Sequence, residues 1–100
     1  MRFVFVLTLR HRVRAFDEWK KVFDERLSAR QEGRVMGHRL TRGVADPNEV
    51  EVAMFYATLA DAEAYERYMN DPHTREVLAN AGVEQHAPMW IGDQLEEVTY

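Results

Sequence analysis

Four histidines are the side chains of this 100-residue chain best suited to move protons near neutral pH, since imidazole alone titrates there unperturbed. His38 lies in an extended run, flanked on its own face by Met36 and Leu40, so a helix laid over that face would shelter an imidazole with a mobile proton. His73 follows Pro72 at the start of a helical segment. His86 stands in a connection ahead of the last strand, where it can close over a pocket mouth. His11 belongs to the basic run Arg10-His11-Arg12-Val13-Arg14 and is expected in solvent. Plain structural roles also fit: an edge or core residue for His38, a surface cap for His73, an exposed loop residue for His86. Tyr56, Tyr65, Tyr68 and Trp90 can line a site for a planar molecule, because such rings join an apolar body to one polar end. Trp19, by its spacing, belongs to the core. Met36 and Met54 are deformable apolar companions for such a site.

Other chemistries lack residues. No two histidines stand four apart and the chain has no cysteine, so no metal is expected. Ser28 is the only serine and has no evident base beside it. A Gly-rich phosphate loop, a nucleophile elbow and a dinucleotide fingerprint are all missing.

The elements that must position these residues follow from periodicity. Phe3–Leu9 (Phe-Val-Phe-Val-Leu-Thr-Leu) is short, free of Gly and Pro and rich in β-branched and aromatic residues, which predicts a strand apolar on both faces. Residues 17–32 form a first helix, with Asp17 at its N-cap, Gly33 at its end, and a stripe of Phe16, Trp19, Phe23, Leu27 and Arg30. Val35–Arg42 is a mixed-polarity edge strand, Asp46-Pro47-Asn48 a turn, and Val50–Ala57 a third strand. Thr58 caps a second helix whose stripe is Leu59, Ala62, Tyr65 and Met69. Asp71-Pro72 opens a further helical segment ended by Gly82. Glu84–Pro88 is a connection and Met89–Leu95 the fourth strand.

The order βαββαβ implies an α+β, ferredoxin-like antiparallel sheet with strands in the order 4-1-3-2, in one domain spanning residues 1–100. Strands 1 and 3 are then central, and they are the two most apolar on both faces. The helices cover one face only. A second copy of the chain is the economical cover for the other, so a homodimer is expected.

Charge is uneven: residues 1–50 hold 11 basic and 7 acidic side chains, residues 51–100 hold 2 and 10. With an acidic half folded against the basic one, nucleic acid is not an expected partner. No apolar run approaches the ~20 residues of a membrane span, no signal peptide is evident, and cysteine is absent, so a cytoplasmic location is expected.

Three segments resemble the dimeric α/β-barrel superfamily, which includes antibiotic-biosynthesis monooxygenases and small polyketide cyclases. They are Val-Arg-Ala-Phe-Asp-Glu-Trp-Lys-Lys-Val-Phe-Asp at 13–24, Asp46-Pro47-Asn48-Glu49-Val50, and Asp71–Leu78 with Ala81-Gly82-Val83. The resemblance implies two sheets packed as a dimeric α/β barrel, with a small-molecule pocket between each sheet and its helices. Small plant-type polyketide cyclases place a functional His and Tyr around a Pro in this region, which here corresponds to Tyr65, Tyr68 and His73 around Pro72. Haem-degrading members use an Asn on the first strand, where this chain offers only Thr8 as a polar residue, so no cofactor is expected.

The combined reading is a cofactor-independent enzyme of secondary metabolism that cyclises or dehydrates an aromatic or polyketide-like substrate. His38 or His73 would move the proton and Tyr65 would polarise a carbonyl. Tyr56, Tyr68, Trp90, Met36, Met54 and His86 would bind substrate. The alternatives are a cofactor-free monooxygenase and a non-catalytic dimeric binder of a small hydrophobic ligand.

Overall fold

β1 (Phe5–Val13) runs through the middle of the sheet, and its alternation defines the sheet's two faces. The computed structural model describes residues 4–100, so the expected start of this strand at Phe3 lies outside the described residues. At its other end β1 continues past Leu9 to Val13. Leu7, Leu9, His11 and Val13 point inward and are buried, while Arg10 and Arg12 point outward. Glu49 meets Arg10 at 3.5 Å and Asp46 pairs with Arg12. The basic run is therefore strand, not connection, and His11 is in the core, not in solvent.

β3 (Glu49–Tyr56) pairs antiparallel with β1, from Phe5 opposite Tyr56 to Arg12 opposite Glu49, and β2 (Gly37–Arg42) pairs with the far edge of β3. The other edge of β1 is shared by β4 (Val83–His86) near its C-terminal end and β5 (Trp90–Asp93) near its N-terminal end. The expected 4-1-3-2 order holds, with the fourth place filled by two short strands in line. Residues 83–86, expected to lie outside any strand, pair with His11, Arg12 and Val13. Ala87 N–H still donates to Arg10 O at 3.0 Å, then Pro88, which has no N–H, interrupts the ladder before Trp90 rejoins it opposite Thr8.

The helices lie on the inner face, over Leu7, Leu9, Val50, Val52, Met54 and Tyr56. The first helix is broken in two, α1 (Phe16–Glu25) and α2 (Leu27–Glu32), at Arg26, whose φ of −96° and ψ of 20° leave the helical range. Past the break Leu27 is 50% exposed, whereas Arg30 is only 5% exposed. Ala15, not Asp17, occupies the N-cap and supplies no side-chain bond. The Asn48 side chain, from the turn before β3, accepts from Phe16 N–H at 3.1 Å instead. The end of α2 forms a Schellman-type closure, in which Val35 N–H reaches Arg30 O at 3.1 Å and Arg34 N–H reaches Gln31 O at 3.0 Å. The left-handed position there is Arg34 (φ 63°), and Gly33 serves another need: a Cβ on it would lie 2.8 Å from the Tyr65 ring.

α3 (Leu59–Asn70) and α4 (Pro72–Asn80) start at their expected caps, but Leu59, expected on the buried stripe, is exposed at the first turn of α3. The Thr58 hydroxyl accepts from Asp61 N–H at 3.1 Å, the Asp71 carboxylate accepts from His73 N–H at 3.0 Å, and Pro72 takes the first turn of α4. Ala62, Tyr65, Met69 and Leu78 are their buried contacts with the sheet. No helix among the described residues is long and apolar enough to cross a membrane. The outer face carries Val4, Val6, Ala53 and Phe55, with Trp90 lying 67% exposed over Gly92.

Candidate functional site

Between the inner face and the helices lies a cavity of about 40 Å³. Leu9, Val52 and Met54 form its floor, α1 supplies Trp19 and Phe23, and α3 supplies Tyr65 and Met69. Three polar or charged side chains interrupt this apolar wall: His11, Arg26 and Arg30.

His11 is placed by strand alternation, in phase with Leu7 and Leu9, and the β1–β4 register sets His86 directly opposite it. Their rings meet edge to face with centroids 4.6 Å apart, and His11 Nε2 lies 3.2 Å from His86 Nδ1. One of these nitrogens must carry the proton and the other accept it. His11 Nδ1 is buried without a partner. Burial first, then the neighbouring His86 and Arg75, pushes the His11 pKa down to about 4. His86, half-buried, is lowered in the same direction by desolvation and by Arg75. At neutral pH the couple is therefore uncharged.

Arg30 reaches this wall from α2 on the stripe that carries Trp19 and Phe23, while Leu27, just past the break at Arg26, is exposed. Its guanidinium stacks 3.9 Å over the Phe23 ring, and Nη1 donates to Phe23 O at 2.6 Å. Its Nε is buried without a partner. Desolvation lowers its pKa from the ordinary arginine value. Arg26 donates to the Tyr68 hydroxyl on α3. Tyr65 stands between the cavity and a second, more open groove of about 290 Å³ lined by Ala29, Glu32, Gly33, Ala64, Tyr65 and Tyr68. Burial raises the Tyr65 pKa, with Tyr68 adding to it, so its hydroxyl stays protonated and able to donate.

Of the residues expected from sequence, Met54 and Tyr65 line the cavity, and His86 reaches it through His11. Tyr68 lies in the adjoining groove. Tyr56 lies behind Tyr65, ring centroids 6.1 Å apart, with its hydroxyl buried and unpartnered and its pKa raised by desolvation. His38 faces the helices, opposite Met54, and packs edge-on against Phe23 at 5.1 Å, but it is exposed at the rim and does not line the cavity. Partial burial lowers its pKa, with Arg30 and Lys20 adding to the effect. His73 is exposed at the start of α4, away from the cavity. Met36 borders a groove with Val4, Gly37 and Phe55, and Trp90 lies on the outer face, so neither joins the inner site. His11 and Arg30 are the site residues that sequence reasoning missed. Each had a signal: His11 continues the β1 alternation, and Arg30 falls on the helical stripe.

No protein-family model and no curated protein matches the sequence. Solved structures do match the fold. A dimeric ferredoxin-like protein from an uncultured marine organism superposes with a TM-score of 0.67 at 13% identity, over 97% of this chain and 92% of that one. A Bordetella bronchiseptica protein, provisionally named an antibiotic biosynthesis monooxygenase, gives 0.67 at 11% identity, over 95% and 98% of the two chains. A Chloroflexus aurantiacus protein with the same provisional name gives 0.65 at 10% identity, over 96% and 97%. The chain shares the ferredoxin-like α+β fold of these proteins.

Proposed function

We propose that this chain is a cofactor-independent enzyme that removes a proton from a small aromatic or polyketide-like molecule held between sheet and helices, and that it works as a homodimer. The observation that carries this reading is the uncharged His11–His86 couple in the wall of an apolar cavity. With the His11 Nε2 proton donated to His86 Nδ1, the unpartnered Nδ1 keeps a lone pair and is the base. When it takes a proton, His86 steadies the imidazolium and, being half-buried, offers a way to solvent. A C–H activated by a ketone together with aromatic rings or a second carbonyl is the kind of acid such a weak base can work on. The protonated Tyr65 hydroxyl donates to that ketone as charge builds on it.

Solved structures of this fold provisionally named as monooxygenases support O₂ as the carbanion's partner. In the balanced reaction a CH₂ group and O₂ give C=O and water: the carbanion carbon forms a bond to O₂, the first proton returns to make a hydroperoxide, and loss of the second hydrogen breaks the O–O bond and releases water. Sites for ligands of drug-like size run from roughly 300 Å³, far above the 40 Å³ present. A swing of the Tyr65 ring would join the cavity to the 290 Å³ groove behind it. The dimer reading is supported by the exposed Trp90 and the apolar outer face, and by the dimeric ferredoxin-like protein of this fold.

Anthrone, a tricyclic ketone with an acidic CH₂, tests the reaction. Oxygen uptake equal to the quinone formed supports the reading. Anaerobic loss of water from a polyketone, with no oxygen consumed in either case, would replace it with cyclisation. Saturable binding with no turnover would replace it with ligand carriage.

A further inference from the structure

We propose that Arg30 is the seat of a planar, delocalised oxyanion, a carboxylate or an enolate-type oxygen, on the molecule that enters the cavity. This rests on the cavity's being the binding site. Arg30 is only 5% exposed as a residue, and burying its charge without an anion is costly, yet among the described residues no carboxylate stands within ion-pair distance of it. Its one hydrogen bond, from Nη1 to Phe23 O, is not needed by that carbonyl, which also accepts from Arg26 N–H at 3.3 Å. Among the described residues the edge formed by Nε and Nη2 has no hydrogen-bond partner, and its Nε is fully buried. Those two N–H groups are parallel donors spaced to receive the two oxygens of a carboxylate. Phe23 beneath the guanidinium and Trp19 stacked on Phe23 at 5.0 Å give such an anion an aromatic surround. The cavity thus has a base at His11 and an unpaired cation at Arg30, the pairing suited to a molecule that carries or develops negative charge.

The test is equilibrium binding to the intact protein, read by Trp fluorescence and by shift in melting temperature. The probes are benzoate, 4-nitrophenolate and neutral benzyl alcohol. Wild type is expected to bind at least one anion tenfold or more tighter than benzyl alcohol. Benzoate responding marks a carboxylate seat, and nitrophenolate alone an enolate-type seat. Arg30→Met is expected to melt no lower than wild type and to bind all three probes alike. Arg30→Lys keeps the charge without the fork and is expected to lose about tenfold in anion affinity while remaining folded. Equal binding of anions and benzyl alcohol by wild type would overturn the anion seat and leave the cavity reading intact. Binding of none of the three would overturn both.

Discussion

Acidification should unfold this protein partly through one residue. His11 is buried and neutral, with a pKa of about 4 in the folded state against 6.5 when exposed. Between those two values the unfolded chain binds the extra proton, so folding stability falls as pH drops through the window and levels off below it. At 1.36 kcal/mol for each pH unit, the whole shift corresponds to about 3 kcal/mol, of which about 2 is lost by pH 5. Above pH 7 both states are neutral at this site and it contributes no slope. Urea unfolding of wild type and His11→Leu at pH 7 and pH 5 isolates the effect, because carboxylates titrate in both proteins. Wild type should lose about 2 kcal/mol more than the variant over this interval. Equal losses in the two would refute the assignment of a neutral, desolvated His11. So would a smaller loss in wild type.

Three further outcomes follow from local geometry. Asn48→Ala removes the acceptor for Phe16 N–H and should cost about 1 kcal/mol in urea unfolding, with helix α1 fraying first by hydrogen exchange. Arg34→Gly relieves a left-handed φ of 63° and should raise the melting temperature, by a gain of about 0.5–1 kcal/mol, even though it gives up the exposed contact with Asp61 at 3.6 Å. Trp90→Asp places a charge on the outer face and, if the proposed homodimer forms through that face, should yield monomer in light scattering at micromolar concentration without lowering helix content.

The strand order was readable because the first and third strands are the most apolar on both faces and the caps Thr58 and Asp71 sit where helices start. The limits of β1 were not, because three arginines around His11 look like a solvated loop. What keeps that stretch in the sheet is distant in sequence: Glu49 and Asp46 neutralise its outer face, and His86 pairs with its inner one. No Gly or Pro marks the break at Arg26, so an unbroken stripe through Leu27 was the natural expectation. Only the structure shows Leu27 leaving that stripe while Arg30 stays on it. β4 was hidden for a similar reason, since Glu84, Gln85 and His86 have little strand preference of their own and are held by pairing with β1. The histidines most visible in sequence, His38 and His73, were the ones with clear local contexts. The residue the fold buries at the cavity was identifiable only by carrying the alternation two residues past Leu9.

Oxygen uptake with anthrone, compared across His11→Leu, His38→Ala and His73→Ala, tests the central claim most directly. If His11 is the base, its substitution should lower kcat by on the order of 10²-fold or more, while the other two variants keep most of the wild-type rate. Full activity in His11→Leu, with loss on substituting His38 or His73, would contradict it.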